Sequence, residues 1–242
     1  MANFDGDLKT DLLFKEGFAI FARLAAPFLA TFLIYFMADL FLQRLLGIDP
    51  LDLFNSSAHT GWYVGSLFVI STIFSGVISA STWSYINGAA HPVKNGVRRV
   101  IEIFPLLLLA SFLAGMATVF GLLLLILPGI IVALALAVVV PVMVVENPGP
   151  LAALQRSYEL TNGHKVQIFF IMLIFIVAIL LFGLIGGVLV EVLGIGASGA
   201  AFMDMVVQGL FGIYSPVVMV LIYGTLAGTL PTKDVAQDEP ID

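Results

Sequence analysis

Runs of apolar residues long enough to cross a bilayer recur along this chain from end to end, and no other feature restricts its fold as severely. An apolar helix needs ~20 residues to cross the hydrocarbon core, and six stretches qualify: about 24–46, 61–86, 103–126, 129–146, 167–192 and 204–228. With 60% hydrophobic and 11% charged residues and a mean hydropathy of +1.10, the 242-residue chain has too few polar side chains to cover a water-soluble globule. The pattern predicts an all-α fold, a polytopic membrane bundle of six transmembrane helices. A single integral membrane domain is expected over residues 1–230. The segment 231–242 carries Asp234, Asp238, Glu239 and Asp242 without apolar periodicity and is expected to be a disordered acidic tail.

Several classes of chemistry are excluded at once. The chain has no Cys, hence no disulfide, no thiolate metal site and no thiol nucleophile. Its N-terminus opens with Asp5, Asp7 and Asp11 rather than a basic region, so a cleaved signal peptide is not expected. His59, His91 and His164 fall in different loops or on opposite faces, and no metal or other cofactor is expected. Neither a phosphate-cradling Gly loop nor a Ser nucleophile with a nearby base is present in the pattern, and no nucleic-acid partner is indicated.

Orientation follows from Lys and Arg, which collect in cytoplasmic loops. Lys9, Lys15 and Arg23 precede span one; Lys94, Arg98 and Arg99 lie between spans two and three; Arg156 and Lys165 lie between four and five; Lys233 follows six. Only Arg44 falls at the opposite face. Both termini are therefore expected in the cytoplasm. Spans three and four are joined by "ILPGI", where Pro128 and Gly129 predict a tight reversal.

The stretch "VVENPGPLAALQRSYELTNGHK" (144–165) is a polar island between two such runs. Pro148, Gly149 and Pro150 end span four, Pro150 suits a first helical position, and Gly163 suits a stop. At 100° per residue Leu151, Leu154, Tyr158 and Thr161 share one arc while Gln155, Arg156 and Glu159 share another, which predicts a short amphipathic helix on the headgroups. Similar basic segments precede Pro27 (Lys15, Gly17, Arg23) and Pro105 (Lys94, Gly96, Arg98), suggesting a threefold pseudo-repeat of interfacial helix plus membrane hairpin.

The matching positions Pro128, Gly129, Pro141, Glu146, Gly149, Pro150, Ala153, Leu154, Ser157, Leu160 and Gly163 resemble the pattern of the glycerophosphoryl diester phosphodiesterase membrane-domain family and of the YciC-type bacterial inner-membrane family. The likeness covers roughly residues 90–180. It implies a six-helix bacterial inner-membrane protein. It does not imply phosphodiesterase activity, since in that family hydrolysis resembles the work of a separate soluble barrel.

Carboxylates near a membrane are informative because burying them unpaired is costly. Asp39, Glu191 and Asp204 lie toward outer span ends, and Glu102 and Glu146 toward inner ends, none near a midplane. Glu146 is expected to pair with Arg98, Arg99 or Arg156. Small residues recur at Ser71, Ser75 and Ser79, at Gly183 and Gly187, and at Gly224 and Gly228, which predicts close helix packing. The candidate site is Lys94, Arg98, Arg99, Glu146, Arg156 and Lys165, for membrane lipid, above all anionic phospholipid, or for a membrane-protein partner or second copy. The leading expectation is a non-enzymatic protein organising lipid or a partner at the cytoplasmic leaflet. A transporter or lipid translocator using the span-two Ser stripe, and an accessory subunit of a larger membrane complex, are the alternatives.

Overall fold

The computed structural model describes residues 10–46, 58–194 and 196–230, and among these it is helical with no strand. The order is α1 (Thr10–Arg23), α2 (Ala25–Leu46), α3 (Ala58–Ile86), α4 (Pro92–Leu124), α5 (Ile126–Ala135), α6 (Val139–Val145), α7 (Pro150–Thr161), α8 (Lys165–Leu193) and α9 (Gly196–Leu226). Six segments are long and apolar enough to cross a membrane: Ala25–Leu45, Gly61–Ile86, Pro92–Leu124, Ile126–Val145, Lys165–Leu193 and Met205–Leu226. The protein is an all-α, multi-pass membrane bundle. Its surface agrees with that solvent: Leu180, Leu184 and Val192 of α8 are exposed, which is costly in water and natural in lipid. The expected tail 231–242, the connection 47–57 and the side chain of Asp204 lie outside the described residues.

Four expectations need correction. The reversal between spans three and four is not at Pro128 and Gly129 but at Leu125, a single extended residue (φ −161°, ψ 144°) between α4 and α5. Pro128 sits in the first turn of α5, where its missing N–H removes no intrahelical bond. Gly129 lies where the two backbones cross: a Cβ there would fall 2.5 Å from the Leu122 nitrogen, and one on Gly121 would fall 2.9 Å from Gly129 Cα.

Span four is not one helix either. It breaks at residues 136–138, because Pro141 has no N–H to give the Ala137 carbonyl. At this break the Val139 N–H bonds the Leu136 carbonyl and leaves that of Ala135 without its usual donor.

The three basic segments are also less alike than the repeat implied. Residues 93–102 form no separate interfacial helix; they are the start of the 33-residue α4. Only Leu24 separates α1 from α2, with Leu24 N–H bonded to Ile20 and Phe28 N–H to Leu24, while Pro27 deprives the Arg23 carbonyl of its donor. Leu13, Ile20, Leu24, Phe28 and Phe32 form one buried stripe through both helices. Only α7 is set off from its span by a real turn, in which Gly163 adopts φ 86°.

Finally, no neighbour comes within 4 Å of a Cβ built on Gly183 or Gly187, so among the described residues these glycines do not mediate a helix crossing. Gly76 and Gly96 do so instead, at the α3–α4 contact: a Cβ on Gly96 would lie 2.8 Å from the Ser81 nitrogen. Gly224 packs as expected, against Leu230 and Trp83, whereas Gly228 takes a left-handed turn (φ 63°) after α9.

Candidate functional site

The close α3–α4 approach at Gly96 and Ser81 brings the first turns of α4 against the last turns of α3 at the basic end of the bundle. α6 packs on both helices and ends there. Its exit turn is tightly made: Asn147 holds φ 52° and Gly149 φ 93°, so the chain doubles back within four residues and Pro150 opens α7. Pro148 and Gly149 lie in this turn, and Pro150 takes the first position of α7.

The doubling back brings Arg156 to Glu146. Its Nε lies 3.2 and 3.3 Å from the two carboxylate oxygens, and the Tyr223 hydroxyl donates to Oε1 at 2.9 Å. Tyr223 is 1% exposed and stacks edge-on with Trp83 at 5.7 Å between ring centroids. Of the three arginines offered as partners for Glu146, the fold selects Arg156. This cluster ties α6, α7 and α9 together at one level. Tyr223 was missed in the sequence because it lies 77 positions from Glu146 inside an apolar run.

α7 itself presents three faces. Ala153, Ser157 and Thr161 are fully buried. Ser157 Oγ donates to the orphaned Ala135 carbonyl at 2.9 Å, with Thr161 Oγ1 at 3.2 Å from the same oxygen. Leu151 and Tyr158 are exposed beside this face, as an arc toward lipid requires, and Lys165 Nζ stands 4.6 Å from the Tyr158 ring centre. Gln155 and Glu159 bond each other on the third face. Thr161 belongs to the buried face rather than to the arc with Leu151.

The remaining candidate cations differ in what they are free to do. Arg98 pairs with Glu102 at 2.9 Å in an i, i+4 arrangement whose side chains are 82% and 50% exposed, which contributes little. Lys94 is exposed in the first turns of α4. Arg99 is half-buried; its Nε donates to the Val144 carbonyl at 2.8 Å, in the last turn of α6. No carboxylate pairs with Arg99 among the described residues. It lines a cavity of about 330 Å³ with Trp83, Ser84, Asn87, Asn95 and Val145. The walls therefore offer one guanidinium, two amides and a hydroxyl, a set of donors suited to an anion. Asn95 already turns toward that space, with Nδ2 3.3 Å from Ser84 Oγ.

The structure therefore divides the six sequence-selected residues into an ion pair that fastens the fold (Glu146 and Arg156), an exposed pair or stacked cation (Arg98 and Lys165), an exposed Lys94, and one half-buried arginine with no acidic partner among the described residues. Trp83, Ser84 and Asn95 join the last of these, and spacing alone gave no sign of them. Comparison of the chain with family models, with curated proteins and with solved structures gives no match.

Proposed function

We propose that this protein is a non-enzymatic bacterial inner-membrane protein that holds an anionic phospholipid headgroup at the cytoplasmic leaflet, with Arg99 as the principal contact. The observation that carries the reading is the Arg99 cavity. It combines a half-buried guanidinium that has no carboxylate partner among the described residues with amide and hydroxyl groups in a space of about 330 Å³. A phosphate there meets a cation that Val144 already orients, so little side-chain freedom is lost on binding. Lys94 and Lys165 supply further positive charge at the same end of the bundle, where each cation near anionic lipid contributes roughly 1 kcal/mol. The excess of Lys and Arg at that end supports placing it, with both termini, in the cytoplasm.

The test is lipid analysis of protein purified in mild detergent. Arg99→Gln is expected to lower co-purified anionic phospholipid about fivefold, the equivalent of roughly 1 kcal/mol, while Arg98→Gln, which removes an exposed paired arginine, changes it little. Equal losses in both variants would reduce the arginines to a diffuse charge effect. No loss in either would remove the lipid reading and favour a protein partner, which the same preparation would reveal.

A further inference from the structure

A second and larger cavity, an open cleft of about 740 Å³, lies where α2, α3, α8, α9 and the break in span four converge. Its walls carry the rings of Phe32, Phe74, Phe175 and Phe211. Ile176 and Ile179 of α8 also line it and are 54% and 41% exposed, so it opens toward lipid rather than toward either aqueous face. Something must fill a space of this size inside a membrane protein. Left empty, its lining would forgo dispersion contacts, and water would need more polar partners than so apolar a wall provides. Lipid chains are the solvent at its mouth, and the volume suits a small ligand.

The wall is not wholly apolar, and its polar groups share one character. Ser71, Ser75, Ser215 and Tyr35 present hydroxyls. Two further wall residues, Ala137 and Gly212, each stand four positions before a proline, Pro141 in α6 and Pro216 in α9, which cannot donate to their carbonyls. Broken or proline-interrupted helices that border a cavity in the membrane interior are a recurrent way of offering backbone acceptors to a ligand. Among the described residues no Asp, Glu, Lys, Arg or His lines the cavity, so a charged ligand would find no partner there at low dielectric.

We infer that this cavity binds a neutral lipid bearing a free hydroxyl, of the long-chain alcohol or diacylglycerol class, whose chain lies among the phenylalanines and whose hydroxyl is held by the serines and the proline-freed carbonyls. The site is independent of the Arg99 headgroup site. It also gives the hydroxyl stripe of α3 a role in ligand binding beyond helix packing.

The experiment uses the intact detergent-purified protein and two photoreactive probes of equal chain length, a diazirine-bearing hexadecanol and a diazirine-bearing palmitate at pH 8. Expected is saturable hexadecanol labelling confined to residues 71–75, 172–179 and 211–219, competed by unlabelled hexadecanol and at least fivefold weaker with palmitate. Ser75→Phe should reduce it at least fivefold. Because Ser75→Phe could disturb folding, Gly212→Val, whose Cβ meets only a Phe74 ring carbon at 3.6 Å, is the second filling variant. Arg99→Gln should leave the labelling unchanged. The inference is overturned by labelling that is unsaturable and equally strong on lipid-facing Leu123 and Leu184. Equal labelling by palmitate, or undiminished labelling in a filling variant that keeps its melting temperature, overturns it too. Loss of labelling in Arg99→Gln would make the cavity the tail end of the headgroup site and overturn its independence.

Discussion

At the scale of single residues, two polar contacts fasten the short α7 to the spans, and each can be tested by deletion. Tyr223 donates to a carboxylate that Arg156 already neutralises, so Tyr223→Phe removes one charge-assisted hydrogen bond and leaves the ring packed against Trp83. A loss of about 1.5 kcal/mol is expected, read as a fall of roughly 3–6 °C in melting temperature for a chain of this length. No change would mean that the hydroxyl finds water in its place. Ser157 and Thr161 both approach the Ala135 carbonyl, but the Thr161 hydroxyl has one proton and also lies 2.9 Å from the Ser157 carbonyl and 3.2 Å from that of Tyr158. Ser157 is thus the main donor. Ser157→Ala should cost more than Thr161→Ala, and the double variant should cost more than the sum, because only then is a buried carbonyl left with no partner. Strictly additive melting-temperature shifts would contradict this sharing. Sequence reading had Glu146 within reach of an arginine because charges near a membrane seek partners. It could not rank the three arginines, since the choice depends on the left-handed Asn147 and Gly149 that set the direction of α7.

At the scale of elements, hydropathy made all six spans legible, since lipid enforces both their length and their internal hydrogen bonding. What hydropathy left out is where a span bends. Leu125 and residues 136–138 are indistinguishable by composition from their neighbours; their geometry follows from Gly121 meeting Gly129, and from Pro141 acting four residues upstream. The Pro128–Gly129 signal was sound chemistry put about one helical turn out of place, since proline in a first helical turn and proline in a loop look alike in a sequence. The crossing gives a direct prediction. Gly129→Ala would press a methyl against the Leu122 backbone and should separate α4 from α5, costing about 1–3 kcal/mol, whereas Gly115→Ala, with nothing within 4 Å, should be neutral or slightly stabilising. Melting temperatures of the two variants decide it, and equal values would show that the hairpin tolerates a wider crossing.

At the scale of the whole molecule, the α4–α5 hairpin differs from any loop that must stand in water. No polar side chain occurs from residue 119 to residue 145, and Leu123, Leu124, Leu125, Ile126 and Leu127 at its tip are 68–78% exposed. Five large apolar side chains at a turn are tolerable only if the tip remains in hydrocarbon or at its edge. Because both ends of the hairpin return to the basic side, this leaves the orientation of the other spans unaffected. The two features can therefore be tested separately, and the absence of native Cys makes single-Cys labelling unambiguous. Leu125→Cys should resist a membrane-impermeant thiol reagent applied from either face and react with a permeant one. Reporter fusions after Gly96, after Gly163 and at the C-terminus should be cytoplasmic, and fusions after Asp52 and after Ala197 periplasmic, as nine of ten Lys and Arg on one side require. Labelling of Leu125→Cys by the impermeant reagent from the periplasm would make the tip a true external loop without disturbing the topology. A cytoplasmic report after Ala197 would be more damaging, because α8 could then no longer cross the membrane between Lys165 and Leu193, and the proposed cytoplasmic placement of Glu146, Arg156 and Tyr223 would lose its support.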